Sequence, residues 1–392
     1  MRCFRVLTVY PLPSLGPQHE FVSFVGYTFN FDLRSINTHT KFTLRMGTSG
    51  NMTYAKAGVS IEAGDELVRR IGRIASRTNR SEVLAGVGGF SALFDLRSRG
   101  YRHPVLVSST DGVGTKLKVA FMMKQHDTVG IDLVAMSVND IITQGAQPLF
   151  FLDYFVCGKL DVDVAEMVVR GIAAGCRQAG CVLIGGETAE HPSDFPKGEY
   201  DLAGFVVGVI ERKKILNPKS VVPGDVLIGL PSSGLHSNGY SLARKVLLDV
   251  GRLKIHQTVT ELGRSLGEEL LEPTRIYAKM TQALFAKYPI KGAAHITGGG
   301  IRGNLPRILP EGRGAWINRR TWPVPPVFDL IQKIGRVSRD EMDRTFNNGL
   351  GMILIVGQKH VDGVSSLLRK MRERHFMIGE IKKGKREVTF VS

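Results

Sequence analysis

Four short apolar runs in this chain each stop at a glycine-rich turn. Residues 104–107 lead into 110–116, residues 181–184 into 185–190, residues 226–230 into 232–234, and a further run leads into 297–300. Buried strands that end in such turns, alternating with helical periodicity, restrict the chain to the α/β or α+β classes. Three helices are legible in the first half, and residues 240–248 and 361–371 read as further helices. Leu67, Ile71 and Ile74 stand at i, i+4 and i+7. Over residues 132–144, Val134, Val138 and Ile141 line one face, while Ser137, Asp140 and Gln144 line another, predicted to be polar. Over 161–179, Val164, Val168, Ile172 and Cys176 recur one turn apart, Asp161 and Asp163 suit the start of the helix dipole, and Gly180 supplies the stop. The strand-like run 205–210 gives way to charged residues 211–214, and Pro223-Gly224-Asp225 reads as a turn opening a new unit. This predicts a boundary near residue 215.

With 392 residues the chain is long enough for two or three domains. It carries 52 Lys and Arg against 36 Asp and Glu, a net charge of +16. That excess fits either a solvated basic face or steering of small phosphorylated ligands. The densest basic run, 369–386, lacks the aromatic repeat of a base-stacking surface, which argues against a nucleic-acid partner. No stretch reaches the roughly 18 unbroken apolar residues of a membrane span. The four cysteines, Cys3, Cys157, Cys176 and Cys181, form no CxxC pair. Residues 1–53 read as an extension: a transit peptide, a start mis-assigned upstream of Met46 or Met52, or an appendage in which Val25, Tyr27, Phe29 and Phe31 alternate as a strand would. The expected compartment is the cytoplasm, or an organelle if the extension is a transit peptide.

Candidate chemistry concentrates in the turns. In Asp111-Gly112-Val113-Gly114-Thr115-Lys116 the glycines let backbone N–H groups approach an anion, Lys116 can meet a phosphate, and Asp111 can hold Mg²⁺. Asp140 can supply a second carboxylate. Glu187 and Glu190 follow a Gly-Gly turn suited to a loop at an active site. Ser233, Gly234, His236, Ser237 and Asn238 form a loop rich in small donors, able to cradle a phosphate. Gly298, Gly299 and Gly300 form another anion-binding turn. Gly298, Gly300 and Gly303 satisfy GxGxxG, but no acid stands near residue 323, so a dinucleotide site is not expected. Each of these segments has an ordinary alternative, as a solvated turn or a helix cap.

Taken in order, segments 110–116, 130–140, 185–190, 232–242, 297–300 and 345–349 closely resemble aminoimidazole ribonucleotide synthetase, the phosphoribosylformylglycinamidine cyclo-ligase family, from about Tyr54 to the C-terminus. The resemblance implies a two-domain ATP-dependent synthetase fold. Residues 54–215 bind ATP and pair their sheets with a second copy into a barrel-like homodimer core, and a second α/β domain, 216–392, holds the substrate phosphate. It implies ATP and Mg²⁺ as the cofactors and formylglycinamidine ribonucleotide as the substrate, in purine biosynthesis. The implied metal ligands are Asp111, Asp140 and Asn347. The ATP contacts are Gly112, Val113, Gly114, Thr115, Lys116, Asp132 and Asn139. The substrate contacts are Ser233, Gly234, Ser237, Asn238, Gly298, Gly299 and Gly300. Lys116, Asp111, Glu187 and His236 are the catalytic candidates. The sequence departs from the family after Glu190, reading His191-Pro192-Ser193-Asp194 where Met-Pro-Gly is usual. Thiamine-monophosphate kinase and selenophosphate synthetase share the carboxylate and ATP logic, but the reactive cysteine of the second is absent from 86–90.

Overall fold

The computed structural model describes residues 58–89, 91–97 and 100–391, and the backbone of two short strands before them. The chain divides into two units, Met1–Met52 and Thr53–Ser392. In the first, β1 (Phe21–Phe24) pairs antiparallel with β2 (Tyr27–Asn30). The other expectations for the extension lie outside the described residues. In the second unit, helix α1 (Ile61–Ser76) starts at Ser60, whose side chain accepts from the Ala63 N–H, and a small ladder joins β3 (Val83–Ala85) to β4 (Leu93–Phe94).

Two larger sheets dominate. The first contains β5 (Pro104–Gly112), β6 (Gln147–Cys157), β7 (Val182–Glu190) and β8 (Tyr200–Glu211), in the order β5-β8-β6-β7. Only the β6–β7 pair is parallel, and its crossover is helix α4 (Val162–Ala179). Asp161 caps that helix by accepting from the Asp163 and Val164 N–H groups, and Gly180 closes it in the left-handed conformation, as the sequence predicts. β7 runs through the Gly-Gly turn to Glu190 instead of stopping at residue 184, because parallel pairing with β6 continues to Cys157. Burial alternates along β5 and β8, so one face is covered by helices and the other stays open.

Short helix α2 (Leu117–Met123) precedes α3 (Asp127–Ile142), which crosses α4 at very close range. A Cβ on Gly130 would stand 2.3 Å from the Val168 carbonyl, and one on Gly171 would stand 2.0 Å from that of Asp127. Only glycine permits this approach, and α3 begins at Asp127, five residues before its apolar periodicity predicts. Gly171→Ala is therefore expected to destabilise the fold by at least about 1–3 kcal/mol, the usual cost of overpacking. Denaturant unfolding of the variant measures it, and a wild-type midpoint would contradict this account of the crossing.

The second sheet follows β9 (Val226–Pro231). After helix α5 (Tyr240–Arg244), which continues through residues 245–250 as a π-helical turn, come a two-residue hairpin, β10 (Thr258–Val259) and β11 (Arg264–Ser265), and helices α6 (Leu266–Leu271) and α7 (Ala278–Lys287). The remaining elements are β12 (Gly292–His295), α8 (Gly300–Asn304), β13 (Arg313–Asn318), α9 (Pro326–Gly335), α10 (Arg339–Thr345), β14 (Leu350–Val356), α11 (Val361–Lys370), β15 (Phe376–Lys383) and β16 (Val388–Val391). Their strand order is β12-β14-β9-β15-β13-β16. Every residue of β14 is buried, since its two faces meet two different apolar clusters. That is why it reads as an unbroken apolar run. Among the described residues no helix is long and apolar enough to cross a membrane.

Candidate active site

The register of β5 on β8 sets Asp111 opposite Gly204 and Ser109 opposite Val206, which puts both side chains on the helix-covered face of the sheet. Near the end of α3, Asp140 receives the Ser109 hydroxyl at 3.4 Å and lies 2.8 Å from His295 Nδ1, at the end of β12. Asp111 thus comes from the first sheet, Asp140 from the helix that follows it and His295 from the second sheet. Burial holds the Asp111 carboxyl above its ordinary range. The Gly112 N–H opposes that shift, the nearby Asp140 charge adds to it, and His295 lowers it. Two half-buried carboxylates whose charges oppose one another suit a divalent cation. His295 was missed in the sequence although it obeys the same rule as Asp111, a polar residue at a strand end before a glycine turn. Its Nε2 is buried with no hydrogen-bond partner.

The other α3 residues expected at the site make contacts across the two halves. Asp132 and Asn139 are fully buried, and their described polar contacts are to protein. Asp132 accepts from the Thr274 N–H at 2.8 Å and its hydroxyl at 2.6 Å, and Asn139 accepts from the Tyr277 N–H while donating to the Arg275 carbonyl. Asp132 and Asn139, one position away from the face predicted to be polar, therefore pack on segment 272–277 of the second half. Lys116 is also fully buried, and its ammonium reaches Asp132 Oδ1 at 2.9 Å and the carbonyls of His236 and Glu272 at 3.1 and 2.7 Å. Three protons meet three acceptor groups, so a phosphate contact would require this cluster to open. Burial pushes the lysine's proton affinity down and the aspartate's up, while each group's charge pulls the other back.

The small-residue loops converge on the same region, largely by bonding to one another. Ser237 donates to the Val113 carbonyl at 2.7 Å, Thr115 and Ser241 hydroxyls lie 3.1 Å apart, and Asn238 accepts from the Gly298 N–H at 2.9 Å. Ser233 donates to the Pro273 carbonyl, and the Gly234 carbonyl accepts from Asn347. Gly112, Gly114 and Gly299 remain at least partly accessible on the turns. Gly300 is buried at φ 58°, where a Cβ would meet the Asp343 carbonyl at 2.0 Å, so its need for glycine is steric. The Asn347 Oδ1 accepts from both Ser232 and the Gly349 N–H, which uses both lone pairs, so a metal contact there would require one of these bonds to open. His236 is buried, and burial first, then the positive charges of His295, Lys116 and Arg275, hold its proton affinity well below the usual value. Its Nε2 accepts from the Ser233 N–H at 3.2 Å, so proton abstraction through that nitrogen would break a loop contact.

Glu187 is exposed on β7, a strand and not the loop expected, and accepts only from the neighbouring Thr188 N–H in the described contacts. Glu190 joins two segments by accepting from the N–H groups of Ser60 and Leu160. Both lie on the edge strand, and Glu190 lines a cavity of about 350 Å³ together with Ser60, Leu160, Thr188 and His191.

Two family models match, the N-terminal domain of AIR synthase related protein over residues 96–210 and the C-terminal domain over residues 222–392. A phosphoribosylformylglycinamidine cyclo-ligase from Myxococcus xanthus is 60% identical over 346 residues, covering 88% of this chain and 99% of its own. This chain belongs to the cyclo-ligase family. A second cyclo-ligase, from Nitrosospira multiformis, is 54% identical and covers 84% of this chain and 93% of its own. The cyclo-ligase fold is a two-domain α/β arrangement shared more widely. The thiamine-monophosphate kinase of Stenotrophomonas maltophilia superposes with a TM-score of 0.60 at 21% identity, over 81% of this chain and 94% of its own. The hydrogenase maturation protein HypE, solved in complex with ATP, gives 0.58 at 18% identity, over 82% and 90%. Those two likenesses concern the fold alone.

Proposed function

We propose that this chain closes the imidazole ring of aminoimidazole ribonucleotide from formylglycinamidine ribonucleotide, converting ATP to ADP and phosphate in purine biosynthesis. The supporting observation is the 60% identity to a cyclo-ligase along 346 residues, which includes the Asp111 and Asp140 pair. The formyl oxygen attacks the γ-phosphorus of ATP and ADP departs, leaving an iminophosphate. The amine nitrogen of the same molecule then attacks the activated carbon, and phosphate leaves with the former formyl oxygen. Because both ends belong to one molecule, the chain mainly has to orient them, and well-oriented intramolecular reactions reach effective molarities of about 10⁵–10⁸ M.

Asp111 and Asp140 are the residues that fit Mg²⁺, which when bound would neutralise charge on the triphosphate. Among the described residues no group of three or more acidic, histidine or cysteine side chains is arranged for a metal, so phosphate oxygens would have to complete its shell. The loop 112–115 fixes the backbone beside that pair through Val113 and Thr115, and Asn238 fixes the glycine turn at 298. We read residues 54–215 as the ATP-binding and dimerisation domain and 216–392 as the substrate domain. The open face of the first sheet supports a homodimer: Leu106, Tyr154 and Phe205 share it by register and are 59%, 37% and 43% exposed. A cytoplasmic enzyme is the simplest reading. Incubation with formylglycinamidine ribonucleotide, ATP and Mg²⁺ should yield ADP and diazotisable aminoimidazole product in equal amounts. ATP binding by folded protein without that product would reject the assignment.

A further inference from the structure

One large cavity lies away from the carboxylates. It has a volume of about 1250 Å³ and opens at the seam between the two sheets, beside the connector that joins them. Its wall includes Ile210 and Glu211, paired with the start of β5, whereas Asp111 lies seven residues further along that strand. At about 3.4 Å per residue the two places are about 24 Å apart. The cavity is thus separate from the proposed reaction site, and it exceeds the 300–1,000 Å³ usual for a small-molecule pocket.

The charges on its wall do not balance. Each of its three acids is engaged: Asp225 holds Lys291 at 2.6 and 2.8 Å, Glu380 pairs with Lys382 at 3.1 Å, and Glu211 accepts the N–H groups of Arg102 and His103. Lys213, Lys214 and Lys359 also line the wall and have no carboxylate partner among the described residues. Unpaired lysines on both the connector and the start of the α11 segment face one space, a setting for a phosphate group. The remaining wall differs in character. Phe285 and Tyr288 expose ring surface, with His360 6.4 Å from the Tyr288 ring centre, and Gln282 and Gln358 bring amides able to bond a heteroaromatic edge.

We propose that this cavity is a second ligand site, taking a nucleoside monophosphate or a chemically similar phosphorylated heteroaromatic molecule. The phosphate lies among Lys213, Lys214 and Lys359, and the planar ring lies against Tyr288 and Phe285. Such a ligand touches the end of the first sheet, the connector and the second sheet's helices together, so its binding favours one relative placement of the halves.

The test uses the full chain with its catalytic nucleotide site filled by a non-hydrolysable ATP analogue. AMP and inorganic phosphate are each titrated in by calorimetry. The expected result is one further equivalent of AMP, bound at least tenfold more tightly than phosphate, with slowed amide exchange in residues 211–225 and 357–360. Lys214→Glu combined with Lys359→Glu should weaken that binding at least tenfold while leaving basal turnover and the unfolding midpoint unchanged. Tyr288→Ala should weaken AMP binding and leave phosphate binding alone. No AMP binding to the filled enzyme, equal affinity for AMP and phosphate, or wild-type binding by the lysine variant would overturn the proposal.

Discussion

Alanine in place of Asp132 is expected to cost about 3–5 kcal/mol of folding stability, the range for breaking a buried ion pair from one side. The variant leaves the Lys116 ammonium fully buried against two carbonyls without a counter-charge, and it deprives Thr274 of the acceptor for both its N–H and its hydroxyl. Guanidinium unfolding measures the loss. Removing both charges, with Lys116→Met and Asp132→Leu together, should restore most of it, since a packed apolar pair of similar volume often matches a buried ion pair. The double variant also separates two roles for Lys116. If the lysine only bolts the halves together, the folded double variant keeps its ATP turnover. If turnover disappears from a folded protein, the ammonium leaves Asp132 to meet phosphate during the reaction. A single Asp132→Ala protein as stable as wild type would remove the pair from any account of how the halves are joined.

Asp111→Asn should act in the opposite manner, with little change in stability and a large change in rate. Burial and the Asp140 charge raise the Asp111 carboxyl above its reference value of 3.8. The folded state therefore binds this proton more tightly than the unfolded chain does. Its contribution to stability is greatest at acid pH and falls as pH rises from about that value through the folded one. At neutral pH the ionised group opposes folding. Asparagine removes the charge and keeps an oxygen to accept the Gly112 N–H, so the unfolding midpoint should stay level or rise. Turnover should fall by at least about 10²–10³-fold, the scale seen when one electrostatic contact to a transition state is lost. Steady-state ADP release with the ribonucleotide substrate and Mg²⁺ gives the comparison. Retained Mg²⁺-dependent turnover would exclude Asp111 as the metal carboxylate.

Local patterns in the sequence predicted local structure well. The capped helix ending at Gly180 and the strand through residues 226–230 follow from neighbouring residues alone, and so does the position of Asp111 after a strand. Contacts between distant segments were hidden. Nothing near Asp132 or Asn139 announces that Thr274, Arg275 and Tyr277 will meet their polar atoms. The contacts of Asn347 were hidden in the same way: its partners Ser232 and Gly234 lie more than a hundred residues earlier. Glu187 was assigned to a loop because a Gly-Gly pair usually breaks a strand, whereas the ladder with β6 carries the strand across it. His295 was within reach of the same reasoning that selected Asp111.

The clamp built on α3 also changes how the connector should be regarded. Residues 212–214 and 219–220 are exposed, and Arg212, Lys213, Lys214 and Lys219 make that stretch an open target for a trypsin-like protease. A cut there would sever the backbone between the sheets but leave the Lys116, Asp132 and Asn139 contacts with segment 272–277 in place. The two pieces can then remain one particle, with Asp140 still facing His295 across the cut. Covalent continuity is a small part of what holds this site together, and two separately made fragments would have the surfaces needed to find each other.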